Sequence, residues 1–130
     1  MDVGESLPFA TLIGLEIIEV MPERAVARAK IRPELCNRSG VASGGAVMAL
    51  ATTLGTVATM AKLPDGANTI TIESSTNFIA SVPAGDMAHA ECTLVHNGKE
   101  TMVWQTKITR GDGRLAAVVT QTQMIHSAEQ

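Results

Sequence analysis

The chain has 130 residues, an apolar fraction of 45% and a formal net charge of -3. This length and apolar content suit one packed domain, which we place at residues 1–130. Cationic residues are scattered and aromatic residues are rare, which argues against a nucleic-acid-binding surface. The two cysteines, Cys36 and Cys92, have no CxxC spacing, and no N-terminal targeting pattern is visible. We therefore expect a reducing, cytoplasmic location.

The first half of the chain predicts two strands followed by one long helix. A short apolar segment at residues 7–14 predicts a helical turn, and a first strand follows from Leu15 to Met21. Strict alternation from Arg24 to Ile31 predicts a half-buried second strand. Ser43-Gly44-Gly45 then opens an apolar helix that we expect to run to about Lys62, where Pro64-Asp65-Gly66 ends it.

The uncharged stretch from Ser39 to Ala61 is long enough to raise the question of a membrane span. Its threonines and its Gly-Gly pair argue against one. An uncharged helix that is apolar all round is, in a water-exposed domain, a helix buried in the core or at a subunit interface. We therefore expect no membrane association.

The second half predicts four more strands joined by short turns, as Gly-containing and Asn-containing connections indicate. These strands are expected at Thr69–Ile79, Asp86–His96, Thr101–Arg110 and Arg114–Ile125. The order predicts an α+β fold in which a curved antiparallel sheet of about six strands wraps around one central helix. Pairing of two sheet edges would cover the uncharged helix and the exposed edges, so we expect a homo-oligomer, a dimer or a dimer of dimers.

The segment from Asn37 to Thr56 (NRSGVASGGAVMALATTLGT) carries the chemical signal. Adjacent glycines at a helix start let a substrate carbonyl approach free N–H groups that can stabilise an oxyanion. The same glycines also suit close packing of helix on sheet. Farther along, Thr52, Thr56 and Thr59 fall on one helical stripe. Their hydroxyls either bond the carbonyl four residues earlier or line a polar cavity.

This segment resembles the hotdog-fold thioesterases, in which an amide residue and a loop precede His-Gly-Gly and an acid on the helix. The similarity is greatest to enzymes of the phenylacetate pathway and to bacterial aroyl-CoA and aryl-carrier-protein thioesterases. It extends from about Gly40 to Ile125, through IESSTNFIASVPAG, MVWQTKITRGDGRL and the closing TQT. The resemblance implies a hotdog fold and hydrolysis of an acyl-CoA or acyl-carrier thioester, with no cofactor beyond the coenzyme A thioester itself.

By position in the motif, Asn37 stands where the family has the amide that orients the thioester. Gly44, followed by Gly45 in the substrate-binding turn, supplies the N–H that faces the thioester oxygen, and Thr56 stands at the Ser or Thr that contacts water. Ser43 replaces the motif His and Thr52 replaces the catalytic acid. A hydroxyl cannot act as a base unaided at neutral pH, so an active enzyme would be slow.

Other residues are assigned more loosely by the resemblance. Asn77, Phe78 and Ser81 would line an acyl pocket, and Lys107 and Arg110, with Arg114, would meet coenzyme A phosphates. Ordinary strand packing and a solvated hairpin explain the same residues.

Glu73 or His89 are possible substitute bases, although a solvated position also explains each of them. No cluster of residues has metal-ligand spacing. The alternative to an enzyme is a non-catalytic hotdog module that binds acyl-CoA or serves in assembly.

Overall fold

Within the part of the chain that the structure describes, six strands and two α-helices follow one another in the predicted order. The computed structural model describes residues 7–127, so the ends of the predicted 1–130 domain, residues 1–6 and 128–130, lie outside the described part. The elements are α1 (Pro8–Leu12), β1 (Glu16–Met21), β2 (Arg24–Lys30), a short 3-10 helix (Pro33–Leu35), α2 (Gly44–Met60), β3 (Asn68–Phe78), β4 (Met87–Asn97), β5 (Thr101–Thr109) and β6 (Leu115–His126).

All six strands form one antiparallel sheet in the order β1-β2-β4-β5-β6-β3. Helix α2 contacts every strand of that sheet and packs on one of its faces. The predicted α+β hotdog fold is therefore confirmed. Strands β1 and β3 form the two edges of the sheet, and β3 is an edge of 11 residues.

Alternation in the sequence translates directly into the two faces of the sheet. On β2, Ala25, Ala27 and Ala29 are buried against the helix, while the residues between them point outward. On β6 the same phase buries Ala117 and Val119. The core therefore lies between the helix and one face of the sheet.

Helix α2 ends at Met60, two residues before the predicted Lys62. The last turn tightens, because the N–H of Lys62 donates to the carbonyl of Thr59 at 2.9 Å and that of Leu63 to Met60 at 3.2 Å. Pro64 disfavours the helical conformation of the residue before it, which explains the early end.

Helix α2 is not buried on all sides. A strip formed by Met48, Ala49, Thr52, Thr56 and Met60 remains half-buried, while the opposite side is in the core. Within residues 7–127, no helix combines the length and the hydropathy needed to cross a bilayer.

Candidate active site

The start of helix α2 presents unpaired backbone donors to solvent. Ser43 is the N-cap, with extended backbone angles, and its Oγ accepts a hydrogen bond from the Ala46 N–H at 3.1 Å. The N–H groups of Gly44 and Gly45 find no acceptor among the described residues, and both glycines are exposed. Ser43 therefore caps the helix, and the two glycines leave the positive end of the helix dipole open to solvent.

A surface cavity of about 350 Å³ opens beside this helix start. Its lining includes Gly44, Val47, Phe78, Ser81, Val82 and Ala116. Among the described residues, no charged side chain lines it, and Ser81 is its one side-chain hydroxyl. The cavity thus joins an apolar wall to the positive end of the helix, which is an arrangement that suits a carbonyl attached to an apolar group.

Phe78 and Gly44 are fitted to one another within this cavity. A Cβ atom on Gly44 would lie 3.2 Å from the Phe78 ring, and Phe78 itself is 56% exposed. Glycine at position 44 therefore lets the ring lie against the helix start. Three of the residues expected at the site, Gly44, Phe78 and Ser81, are brought together here.

Asn37 lies in a short loop beside the same wall. Its Oδ1 accepts from the Ser39 N–H at 3.0 Å and from the Ser39 hydroxyl at 2.6 Å. Its backbone closes the loop onto Val41, and Gly40 at φ +77 completes the turn. Because Oδ1 is engaged, the group that Asn37 can offer to a ligand is its side-chain N–H₂.

The threonine stripe is only partly as predicted. The hydroxyls of Thr52, Thr56 and Thr59 donate to the carbonyls of Met48, Thr52 and Gly55, at 2.9, 3.0 and 2.8 Å. Thr59 is fully buried, and its Oγ1 accepts from the Trp104 indole N–H at 2.8 Å. None of the three lines the cavity. Of the two alternatives, bonding to the carbonyl four residues earlier is therefore observed for all three hydroxyls, and Thr59 in addition faces the sheet.

Asn77 does not share the cavity with Phe78. It pairs with Val118, which lies between the buried residues Ala117 and Val119, so Asn77 is on the outer face of the sheet. Lys107 also lies on that outer face, where it borders a depression with His89 and Glu91. The helix start is on the other face, so neither residue adjoins the cavity of its own chain.

Arg110 lies closer to the cavity but is already engaged. Its guanidinium contacts the Asp112 carboxylate at 2.8 Å and the Ser81 carbonyl at 3.3 Å. The Arg114 backbone N–H donates to Asp112 as well, and this bond is the main reason that the pKa of that carboxyl is lowered. Arg110 therefore ties the hairpin to the cavity wall.

Neither suggested substitute base lies at the cavity. Glu73 pairs with Thr122, between the buried Gln121 and Gln123, and thus points away from the helix of its own chain. His89 is exposed on the outer face. Among residues 7–127, no group of three His, Cys, Asp or Glu side chains could hold a metal ion.

Sequence reasoning missed two fully buried glutamines on β6. Gln121 donates from Nε2 to the main-chain carbonyl of Thr52 at 3.1 Å and to Gln123 Oε1 at 2.9 Å. A signal was available, because Gln121 and Gln123 continue the inward phase of Ala117 and Val119. Of the two amides, that of Gln121 bonds the helix turn that carries Thr52.

Comparison with known proteins places the chain among thioesterases. The family model described as the thioesterase superfamily matches residues 39–117. A protein of Mycobacterium tuberculosis strain H37Rv, named as an esterase, is 28% identical over 115 residues, which is 86% of this chain and 81% of that protein. A 1,4-dihydroxy-2-naphthoyl-CoA hydrolase of Listeria monocytogenes is 27% identical over 106 residues, 82% of this chain and 85% of that one.

One solved structure adds a ligand to the comparison. A thioesterase protein from Streptococcus pneumoniae, solved with coenzyme A, has a TM-score of 0.87 at 23% identity and covers 95% of this chain and 97% of its own. At this identity the likeness shows the fold. The resemblance to hotdog thioesterases is confirmed.

Proposed function

The chain belongs to the thioesterase superfamily, and on that premise we propose that it hydrolyses an acyl-CoA or acyl-carrier thioester to a free acid and a thiol. The observation that carries the proposal is the open end of helix α2, where the Gly44 and Gly45 N–H groups meet an apolar cavity of about 350 Å³. The acyl group enters the cavity and the carbonyl oxygen meets the Gly44 N–H. The Asn37 N–H₂ helps to orient the thioester.

The reaction needs a water molecule at the carbonyl carbon. Water adds to that carbon, negative charge develops on the carbonyl oxygen at the helix start, and the C–S bond then breaks to release the thiol. Because the hydroxyl protons of Thr52 and Thr56 are used in helical bonds, their lone pairs accept hydrogen bonds from the water. They orient the water but do not take its proton, which passes through solvent to the departing thiolate, so turnover is about 10²–10⁴-fold below that of a site with a carboxylate base.

The spacing along helix α2 supports a site that is shared by two copies of the chain. Eight helical residues separate Gly44 from Thr52, which is about 12 Å of helix, whereas both must lie near one carbonyl carbon. Thr52 of one subunit therefore serves the helix start of another. The half-buried strip of α2 and the unpaired edge β3, with Ile70 and Ile72 exposed, offer the contact surface. A dimer, or a dimer of dimers, is the working unit.

The proposed reaction uses no cofactor, and coenzyme A enters as part of the substrate. Free Cys36 and Cys92 suit a reducing cytoplasm.

A second function is favoured by one specific feature, the threonine at position 52. If the missing carboxylate has not been replaced, the module binds acyl-CoA at the helix start without hydrolysing it. The two readings share the binding site and differ in the chemical step.

Thiol release from a panel of aromatic and aliphatic acyl-CoAs tests the proposal. Thr52→Asp is expected to raise kcat by about 100-fold or more, because a carboxylate supplies the missing base. Thr93→Asp is the matched control, since it adds the same charge on the outer face of β4 and should leave kcat unchanged. No gain in Thr52→Asp, with acyl-CoA binding retained in calorimetry, would favour the binding module.

Asn37→Ala tests the orienting amide separately. Loss of one hydrogen bond to the thioester is expected to lower kcat/KM by about 10-fold. Arg38→Ala, in the same exposed loop, is the control. Equal activity of Asn37→Ala and wild type would remove Asn37 from the site.

A further inference from the structure

Gln121 links the sheet to the helix turn that carries the proposed site. Its amide is fully buried on β6, donates to the Thr52 carbonyl at 3.1 Å and donates to Gln123 Oε1 at 2.9 Å. Gln123, equally buried, continues the network sideways to the hydroxyls of Thr69 and Thr71 on β3. Of the two amides, Gln121 is the one that bonds the helix.

Gly55 provides the space that Gln121 occupies. A Cβ atom on Gly55 would lie 2.2 Å from Gln121 Oε1 and 2.6 Å from Nε2. Real Cβ atoms do not come so close to other atoms, so any larger residue would displace the amide. The helix and the sheet are thus joined at two points about one helical turn apart. One is the hydrogen bond to the Thr52 carbonyl, and the other is the notch at Gly55, which is the space that the Gln121 amide fills.

The Thr52 carbonyl accepts hydrogen bonds from both the sheet and the helix. Thr52 O accepts from Gln121 Nε2 and also from the Thr56 hydroxyl at 3.0 Å. The Thr52 side chain itself lies on the half-buried strip of the helix. A shift of this turn would therefore move both hydroxyls together.

Gln121 also carries a buried side-chain oxygen, Oε1. Among residues 7–127, Gln121 Oε1 has no hydrogen-bond partner, and neither do the buried hydroxyls of Ser74 and Thr76 on β3. Ser74 is the direct cross-strand neighbour of Gln121. Buried polar atoms without partners cost free energy, and an amide oxygen requires a donor such as a hydroxyl.

The same stretch of β3 runs beside Thr52. Gly44 lies against Phe78, and from there eight helical residues to Thr52 span about 12 Å while four strand residues to Ser74 span about 13 Å. Ser74 therefore lies level with Thr52. Its side chain faces the same side of the sheet as Gln121, and no hydrogen bond joins the two within the described part of the chain.

We propose that Gln121 is a positioning residue for the thioesterase site: seated in the Gly55 notch and bonded to Thr52 O, it sets the place of the Thr52 and Thr56 hydroxyls. The inference rests on the proposed function. Gln121 acts on the reaction through Thr52 and does not itself contact the thioester.

The test compares Gln121→Met with Gln123→Met, a change of the same kind at an equally buried position of the same strand. Both variants should lose stability. Gln121→Met should in addition lower kcat about 10-fold or more with KM nearly unchanged, as expected for misplacement of groups that act on water. Steady-state kinetics are measured for each glutamine substitution in two backgrounds, the wild-type chain and the Thr52→Asp chain. Equal kcat values for the two glutamine variants would overturn the proposal.

Gly55→Ala is the second variant and leaves Gln121 in the chain. Its new Cβ displaces the amide, while alanine itself favours the helix. It should reproduce the kcat loss of Gln121→Met, and the double variant should be no slower than either single one. This arm decides the question if Gln121→Met fails to fold, because a normal kcat in Gly55→Ala overturns the proposal.

Hydrogen exchange separates this inference from the proposed function. If neither wild type nor Thr52→Asp hydrolyses any thioester, the proposed function fails, yet the Thr56 N–H still reports on its helical bond to Thr52 O. Relative to the amides of β4, it should exchange about 10-fold faster in Gln121→Met than in Gln123→Met. Equal exchange would show that Gln121 does not position this turn.

Discussion

Helix α2 is held by two unlike halves of the sheet. The half formed by β2 and β4 meets the helix with small side chains, namely Ala25, Ala27, Ala29, Ala88 and Ala90. The half formed by β5 and β6 meets it with large or polar ones, Trp104, Thr106, Gln121 and Gln123. The alanine half lets the helix approach closely, whereas the polar half bonds it at chosen atoms through Thr59 and the Thr52 carbonyl.

This difference separates close packing from precise placement. Dispersion contacts between small side chains tolerate small displacements of the helix, although they leave no room for added atoms. Hydrogen bonds are directional, so the polar half fixes the rotation of the helix about its own axis and its position along that axis. The placement of the α2 face that carries Thr52 and Thr56 thus depends more on the polar half, and the stability of the fold depends on both.

The largest effect is expected from overfilling the alanine half with Ala27→Leu. Ala27 is fully buried between Ile17 and Ala90 on the neighbouring strands, so a leucine would push the helix away from the sheet. We expect a loss of about 3 kcal/mol in the free energy of unfolding. Chemical denaturation measures it.

Val26→Leu is the control for this change, because Val26 is half-exposed on the outer face of the same strand. Its midpoint should match that of the wild type. Unchanged stability of Ala27→Leu would show that the alanine half has unused space.

A smaller effect is expected in the polar half from Thr59→Val. The substitution keeps the shape of the side chain but leaves the buried Trp104 indole N–H without the acceptor it has at 2.8 Å. We expect a loss of about 2 kcal/mol. Trp104 is the only tryptophan, so its fluorescence reports both the unfolding transition and the change around the indole.

Thr59→Ser keeps the hydroxyl and should retain most of the stability that Thr59→Val loses. If the two variants were equally unstable, the lost methyl and hydroxyl groups would matter alike. The contrast between directional and non-directional packing would then fail at this position.

The smallest effect is expected at the exposed rim of the alanine half. Arg28 donates to both carboxylate oxygens of Glu16, at 3.0 and 3.1 Å, and this lowers the pKa of Glu16 from 4.5. A lowered folded-state pKa stabilises the fold at pH above the unfolded value, and the contribution disappears as the pH falls through the folded pKa.

Glu16→Gln should therefore be slightly less stable than wild type at pH 7, and the difference should be smaller at pH 3. Denaturation midpoints at both pH values measure the difference, with Glu34→Gln as the control because Glu34 is exposed and makes no ion pair among the described residues. A constant difference at both pH values would assign the effect to something other than charge. High salt should also reduce it.

Much of the fold follows from local features of the chain. The alternation of β2, the turns around Pro83-Ala84-Gly85 and Asn97-Gly98, and the Gly-Gly start of α2 predict every strand and the long helix to within two residues. These features work because side-chain period and turn geometry are properties of short segments.

The candidate site was predicted less completely. Gly44, Phe78 and Ser81 meet at one cavity, whereas Asn77 and Lys107 face the other side of the sheet. The sequence was sufficient to predict that Asn77 faces away from the cavity, because neighbouring strand residues alternate between the two faces and Phe78 faces the cavity. The burial of Thr59 could not be predicted in this way, since it depends on Trp104 in a distant strand.

The sequence by itself determined the order of elements, the Gly-Gly start of α2 and the uncharged run that includes the threonine at position 52. The tertiary structure decided which hydroxyls face the sheet, that Ser43 caps the helix, and that Gln121 enters the notch at Gly55. The bond from Gln121 to Thr52 joins residues 69 positions apart. No local pattern encodes such a contact, because it exists only once the helix has packed on the sheet in one register.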